Sequence, residues 1–217
     1  MTLLHVILLT WEFPPREVGQ VGSDMENAAL EFAKSGYKLD VVTYNDSLLG
    51  VEERPEGFRV HRVTNPVKTH VNIVTWALTL NTELQRVAAN IILESHEEFR
   101  ITHASEWLCV PAAIQLKKTL ATPFILSLSS IEPERSSGGP LSDSIKYFEK
   151  LGCGEAVKVV VTSANRAEQI QKLYSAPKEK LSILEPRERW VEKLMEQYKQ
   201  VLRVREKTPQ PSSGVSI

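Results

Sequence analysis

This chain has no excess of charge of either sign. Its 26 basic and 27 acidic side chains leave a formal net charge of −1 over 217 residues. Proteins that bind nucleic acid or an anionic membrane surface usually carry a surplus of Lys and Arg, so the sequence predicts neither partner. No apolar run approaches the roughly 20 residues that cross a bilayer. The N-terminus lacks the basic segment of a secretory signal, and Glu12 interrupts its apolar stretch. These absences predict a cytoplasmic protein.

Cysteine is also scarce. Cys109 and Cys153 lie far apart in sequence and in no spacing that is typical of a metal site. We therefore expect two buried thiols in a reducing compartment, with neither a disulfide nor a metal. The sequence also has no Walker loop and no Asp-x-Asp pair, and we expect no cofactor. His61, His70 and His96 have polar neighbours in sequence, which predicts that they lie at the solvated surface.

Short apolar runs typical of strands alternate with amphipathic segments typical of helices. Strands are predicted at 6–10, 39–43, 58–63, 100–104, 123–128, 157–161 and 181–184. Helices are predicted at 23–35, 71–98, 110–120, 141–151, 166–174 and 187–206, with a flexible loop at 131–140. This alternation predicts an α/β fold with a single Rossmann-like, doubly wound parallel sheet that has helices on both faces.

The first strand, its loop and the first helix form the most informative unit. The loop contains two prolines and two glycines, and the glycines stand at the start of the helix. Such an arrangement commonly turns backbone N–H groups toward an anion. The loop sequence from Trp11 to Gly19, WEFPPREVG, resembles the opening of glycogen and starch synthases and related glycosyltransferases of the two-domain GT-B architecture.

Three further blocks carry the same resemblance, in the same order as in that family. They are HASEWL with VPAA at 103–113, PFILSLSSIE at 123–132, and LGCGEA with VVVTS at 151–163. The resemblance covers most of residues 3–185. It implies that residues 1–185 form the N-terminal Rossmann-like half of a GT-B fold.

The segment after Pro186 is the strongest departure from the family. In GT-B synthases a second, donor-binding domain follows at this point, and a closing helix then returns to the first domain. Here the residues from 187 to 206 resemble the closing helix directly, which implies that the donor-binding domain is deleted. Their apolar stripe must be buried, and it consists of Trp190, Val191, Leu194, Met195, Tyr198, Val201 and Leu202. We therefore predict domains at 1–185, a closing helix at 186–207 that packs on the same domain, and a disordered tail rich in Pro and Ser at 208–217.

The resemblance also assigns candidate ligand-binding residues. Glu12 aligns with a carboxylate on the acceptor side of the cleft and could contact a sugar hydroxyl. Gly19 and Gly22 remain in the glycine loop, but Gln20 stands where the family has its second glycine. A side chain there would crowd a phosphate. Trp107 could stack on a sugar ring, although a core position is at least as consistent with its neighbours.

The family's catalytic positions are altered. Ser105 and Ser129 stand where the family has histidines, and Glu106 replaces an Asp. A serine hydroxyl cannot act as a titrating group near neutral pH. A chain without the second domain also lacks the basic groups that stabilise a leaving diphosphate. We expect no catalytic residues.

Three functional hypotheses remain open. The first is a catalytically inactive, glycogen synthase-like single-domain protein that acts as a glucan-binding or regulatory protein. Its partner would be an α-glucan or a full-length glycogen synthase, and its former interdomain face could also form a homo-oligomer. The second is one half of a split glycosyltransferase, which would transfer glucose from a nucleotide sugar to an α-glucan once assembled with a donor-binding subunit. The third is a small-molecule binder that uses the glycine loop for a phosphate.

Overall fold

The computed structural model describes residues 4–97, 99–185 and 190–206, with side chains up to residue 201. The described strands form one sheet in the order β3-β4-β2-β1-β5-β6-β7-β8, and every pair is parallel except β3 with β4. The strands are β1 Leu4–Thr10, β2 Lys38–Tyr44, β3 Gly50–Glu53, β4 Arg59–Val63, β5 Phe99–Ser105, β6 Phe124–Leu128, β7 Lys158–Val161 and β8 Leu181–Ile183. The predicted doubly wound α/β fold is confirmed.

The helices largely agree with the apolar periodicity. They are α1 Gln20–Lys34, α2 Ile73–Glu94, α3 Val110–Leu120, α4 Glu132–Arg135, α5 Pro140–Glu155, α6 Ala164–Tyr174 and α7 Trp190–Glu206, with 3-10 turns at Trp107–Cys109 and Lys178–Lys180. Capping fixes several of these starts. Asn72 accepts a hydrogen bond from the backbone N–H of Thr75 at α2, and Ser163 accepts one from Arg166 at α6.

The sequence prediction missed the strand β3 and the helix α4, as well as the two 3-10 turns. The edge strand β3 is mostly exposed and includes a glycine and two glutamates, so it lacks an apolar pattern. Its pairing with β4 alone makes it a strand. The single turn α4 lies inside the predicted loop at 131–140, and Glu134 closes it by accepting the N–H of Ile131.

The order in which successive strands are added reverses at the centre of the sheet, between β1 and β5. From β1 the chain proceeds outward through β2 to β4, and from β5 it proceeds outward on the other side to β8. A crevice therefore opens between the loops at the carboxyl ends of β1 and β5, where ligands of such sheets usually bind.

The two faces of the sheet are covered differently. Among the described helices, α2, α3, α5 and α6 bury one face, while α1 and α7 contribute to the apolar cluster on the other. On that second face α7 supplies Leu194 and Tyr198, which share a buried cluster with Ile101, Ile125 and Val160 of β5, β6 and β7. Without α7 these strands would expose their apolar side chains. The predicted tail at 208–217 and residues 186–189 lie outside the described residues.

Burial settles two smaller predictions. Cys109 and Cys153 are free and buried, as expected, and burial raises the pKa of Cys153 to about 12. The surface position predicted for His61 is wrong. Its side chain is almost buried, and its Nε2 lies 2.6 Å from Oδ1 of the buried Asp40. The sequence neighbours of His61 are polar, but its contacts come from the adjacent strand β2, which no sequence neighbour reveals.

None of the described helices is long and apolar enough to span a lipid bilayer.

Candidate functional site

The loop after β1 is organised by the carboxylate of Glu12. This side chain is fully buried. Its Oε2 accepts the backbone N–H groups of Val18 at 2.6 Å and Gly19 at 2.9 Å, and its Oε1 accepts that of Gly22 at 3.1 Å. The N–H groups at the start of α1 therefore already face a negative charge, which a helix N-terminus favours. The sugar-binding role of Glu12 stays a prediction, and its observed contacts stabilise the loop.

Gly19 and Gly22 lie next to the Glu12 carboxylate, and Gln20 stands between them in the sequence. A Cβ added at Gly19 would lie 3.7 Å from Glu12 Oε1, and one added at Gly22 would lie 3.5 Å from Cγ atoms of Glu12 and Glu17. These are ordinary contact distances, so neither position is sterically restricted to glycine in this state. Gln20 points outward, and its Nε2 donates to Ser23 Oγ at 2.8 Å and to Asp24 Oδ1 at 3.3 Å. No contact in the described chain tests the ligand-binding assignment of these three residues.

The carboxyl end of β5 carries a backbone conformation that is unusual for its residue type. Glu106 has φ 66° and ψ 165°, a region that L residues seldom occupy and that is often found at functional sites. Two hydrogen bonds hold it there. Its N–H donates to Ser127 O at 2.9 Å, and its Oε1 accepts the N–H of Ser129 at 2.7 Å. Burial raises the pKa of the Glu106 carboxyl.

A small pocket of about 50 Å³ lies beside Glu106, between α1 and the start of α7. Among the described residues, its polar lining consists of two carboxylates and four hydroxyl-bearing side chains, with no Lys, Arg or His. These residues are Asp24, Glu106, Ser105, Ser127, Ser129 and Thr162. Burial also raises the pKa of Asp24. We call this pocket and its mouth the acidic crevice.

The acidic crevice is closed on one side by α7. On that side it is lined by Trp190, the first residue of α7, and by Leu184, which follows β8. Pockets that hold small ligands commonly enclose about 300–1,000 Å³, so the crevice in this state is too small for a sugar ring. A sugar could enter only if the crevice widened, and Trp190 is the lining residue on α7.

The two family histidine positions meet in the acidic crevice. Ser105 and Ser129 both line it, which brings together residues that are far apart in sequence. The remaining histidine of the HASEWL block, His103, lies behind them. Its Nε2 is hydrogen-bonded to Ser127 Oγ at 2.7 Å and its Nδ1 to the hydroxyl of Tyr198 on α7. Burial lowers the pKa of His103 to about 3, so it is neutral at pH 7 and joins α7 to the crevice.

Trp107 lies outside the acidic crevice lining. Only 5% of its surface is exposed, and its ring stacks on Phe148 with centroids 6.3 Å apart. In this state it belongs to a small apolar cluster with Ala77, Leu108 and Ile145. Its sugar-stacking role stays untested, and its observed contacts are those of a core residue.

Sequence reasoning missed several residues of the acidic crevice. Asp24, Ser127, Thr162 and Trp190 were not singled out as site residues, although two of them lie at or just after the ends of predicted strands. The general rule that ligands bind at the carboxyl ends of strands near the switch point could have identified Ser127 and Thr162. No local signal marks Asp24 or Trp190, since both reach the crevice through helix packing. The described residues contain no cluster of three or more side chains suited to a metal ion.

Comparison with known proteins identifies a family that most of this chain matches. The family described as a glycosyl transferase 4-like domain matches residues 21–186. An uncharacterized glycosyltransferase of Methanocaldococcus jannaschii is 25% identical over 183 residues, covering 83% of this chain and 45% of that protein. A glycogen synthase of Mycobacterium tuberculosis is 22% identical over 186 residues, covering 79% and 45%. The chain thus spans less than half the length of these curated relatives.

Solved structures show the same fold. Sucrose-phosphate synthase from Thermosynechococcus elongatus superposes with a TM-score of 0.68 at 14% identity, covering 83% of this chain and 47% of that one. A second structure of sucrose-phosphate synthase from that organism has a TM-score of 0.67 at 14% identity and covers 91% of this chain and 99% of that one. At this identity the likeness shows the fold alone.

Proposed function

The chain belongs to the glycosyl transferase 4-like domain family, and on that basis we propose that it binds a neutral α-glucan in the acidic crevice without transferring sugar. The observation that carries this proposal is the polar lining of the crevice, which among the described residues, 186–189 not included, has two carboxylates and four hydroxyl groups but no cation. Carboxylates accept the hydroxyl protons of a sugar, and side-chain hydroxyls can donate or accept. Glycogen synthase is among the relatives, which supports a glucan as the class of ligand.

The same lining disfavours a nucleotide sugar. Transfer from such a donor needs positive charge or N–H donors where the leaving diphosphate develops its charge. Asp24 and Glu106 would instead repel a diphosphate, and the N–H groups of Val18, Gly19 and Gly22 already bind Glu12. The serines at the two family histidine positions cannot titrate near pH 7. These features support a protein that is inactive by itself.

Entry of a glucan requires the crevice to open at Trp190. This side chain lies at the first described turn of α7 and is partly exposed. Once displaced, its ring would offer an apolar face to the sugar, in the way that aromatic rings pack against apolar surfaces elsewhere. Trp190 would then contribute to binding as well as to closure.

Calorimetric titration tests this proposal. Maltoheptaose should bind, while ADP-glucose and UDP-glucose should not. Glu106→Gln should weaken maltoheptaose binding at least tenfold, because the amide offers one acceptor where the carboxylate offers two. Glu168→Gln is the matched control, since Glu168 is exposed on α6 outside the crevice, and it should leave binding unchanged. Binding of a nucleotide sugar, or no binding of maltoheptaose, would contradict the proposal.

A second candidate is one half of a two-chain glycosyltransferase. The observation in its favour is that the chain spans 45% of the curated relatives' length. Glucose transfer that occurs only after mixing with a donor-binding subunit would support this candidate. The absence of transfer in every such mixture would rule it out.

A further inference from the structure

A second and larger cavity lies on the opposite face of the sheet from α7. It is a groove of about 440 Å³ between the loop that follows α4 and the outer surfaces of α5 and α6. We call it the Tyr147 groove, and its main lining residues are Ser136, Ser137, Lys146, Tyr147, Lys150 and Leu173. Its volume falls within the range common for small-ligand sites. The groove shares no lining residue with the acidic crevice.

The charge of the Tyr147 groove is opposite to that of the crevice. Of the described residues that line it, two are lysines and none is acidic. Lys146 makes a long ion pair of 3.4 Å with the exposed Asp143, which contributes little in water. Lys150 makes no ion pair or hydrogen bond within the described chain. The lysines are four positions apart on α5, an arrangement in which like charges repel along a helix. An anion between them would remove this repulsion.

Two neighbouring acidic residues, Glu132 and Glu149, are paired with an arginine inside the protein. Arg135 on α4 donates to the buried carboxylate of Glu149 and also pairs with Glu132. The hydroxyl of Tyr174 donates to Glu149 as well. Arg135 therefore shares its single positive charge between Glu149 and Glu132, and the lysine charges at the surface remain available to a ligand.

The rest of the lining fits a hydroxylated ring. Tyr147 exposes 61% of its surface and Leu173 exposes 46%, so an aromatic and an aliphatic surface border the groove. The backbone N–H of Gly138 donates to Ser136 Oγ at 3.2 Å, which leaves the Ser136 hydroxyl proton free to donate outward. Gly138 and Gly139 have φ values of 121° and 113°. Non-glycine residues rarely adopt these values, and the loop shape beside the groove depends on them.

We propose that the Tyr147 groove binds a phosphorylated sugar, with Lys146 and Lys150 on the phosphate, the serine hydroxyls on the sugar, and Tyr147 against the apolar face of its ring. An ammonium group binds phosphate as a point charge, and two of them one helical turn apart can contact the same phosphate. Tyr147 provides the ring contact that inorganic phosphate cannot make. The site is independent of the proposed glucan site, because no residue is common to both.

Calorimetry with glucose 6-phosphate and glucose 1-phosphate tests the proposal on the full chain. At least one of them should bind at least tenfold more tightly than glucose and than inorganic phosphate. The double variant Lys146→Gln with Lys150→Gln should lose this binding. The double variant Lys118→Gln with Lys178→Gln removes the same charge from exposed positions outside the groove and should retain it. Tyr147→Ala should weaken binding of the sugar phosphate but leave that of inorganic phosphate unchanged.

Four results would overturn the proposal. Inorganic phosphate that binds as tightly as the sugar phosphates would indicate a simple anion site. Adenosine monophosphate that binds more tightly than either sugar phosphate would identify a nucleotide site instead. Equal losses in the two double variants would indicate only a general charge effect. Binding that is unaffected by Tyr147→Ala would remove the sugar contact, and this arm decides the matter if the Lys146 and Lys150 variant does not fold.

Discussion

The packing between α5 and α3 allows a sharp prediction at Gly152. A Cβ added there would lie 2.7 Å from Val110 Cγ2 and 2.8 Å from Leu126 Cδ2. Both of these neighbours are fully buried, so their methyl groups have no free volume into which they could retreat. Gly152→Ala therefore forces either α5 or its neighbours to shift.

The magnitude follows from two opposing effects. Overpacking of a core typically costs about 1–3 kcal/mol, while replacing Gly by Ala in a helix contributes about 1 kcal/mol of stability. The net change expected for Gly152→Ala is a loss of up to about 2 kcal/mol. Gly154 lies one position from the end of the same helix and has no atom within 4 Å of an added Cβ. Gly154→Ala should therefore be neutral or stabilising by some tenths of a kcal/mol, roughly.

Urea denaturation of the two variants measures the difference directly. The helix-propensity gain has the same sign in both variants but is larger at Gly152, so the gap between them, up to about 2.5 kcal/mol, is a lower bound on the steric clash. In thermal unfolding each kcal/mol should correspond to about 2–4 °C for a chain of this size. If Gly152→Ala were as stable as Gly154→Ala, the close packing of α5 on α3 and β6 would be refuted.

Three further predictions concern the buried charges and α7. Burial opposes ionisation of Asp40, but hydrogen bonds from His5 and His61 and the charge of Arg59 outweigh it and hold the Asp40 pKa well below its usual range. The depressed pKa stabilises the fold above the unfolded-state pKa of about 3.9, and this stability is lost as the pH falls. Asp40→Asn should therefore cost about 1–3 kcal/mol at pH 7, because the amide leaves buried donors without an acceptor, and progressively less below pH ~4. A constant gap in urea titrations across pH would contradict this. Glu12→Gln leaves one of the backbone N–H donors of Val18, Gly19 and Gly22 facing an amide NH₂, so the free energy of unfolding should fall by about 1–3 kcal/mol. Unchanged hydrogen exchange at all three backbone amides would argue against these bonds. Leu194→Ala should cost about 2–5 kcal/mol in urea denaturation because Leu194 is fully buried on α7. Lys199→Ala, at an exposed position of the same helix, is the control. A loss in Leu194→Ala no larger than in this control would show that α7 is not part of the cooperative core.

The sequence predicted the order and type of most elements. The helix at α3 was placed at its observed bounds, and β1 and β2 agreed within two residues at each end, because apolar periodicity depends on local geometry that neighbours in sequence share. The missed strand β3 has no such pattern. The missed turn α4 is held by Glu149, which lies on another helix and accepts the N–H of Glu132.

The site was predicted less completely than the fold. Ser105 and Ser129 were recognised as altered positions, and the structure brings them into one pocket. The core position of Trp107 was one of the two alternatives that the sequence left open, whereas the bonds of Glu12 to the glycine loop and the closure by Trp190 were not predicted. Each depends on the direction that a side chain takes after helices and strands have packed.

The sequence by itself determined the parallel sheet, its helical covering and its family resemblance, because these follow from periodicity and from short motifs read within one segment. Only the tertiary structure decided the charge and the size of the two cavities. The acidic crevice combines residues of α1, β5, β6 and α7, and the Tyr147 groove combines a loop with two helices. Their electrostatics depend on distances between segments, and those distances exist only after the chain has folded.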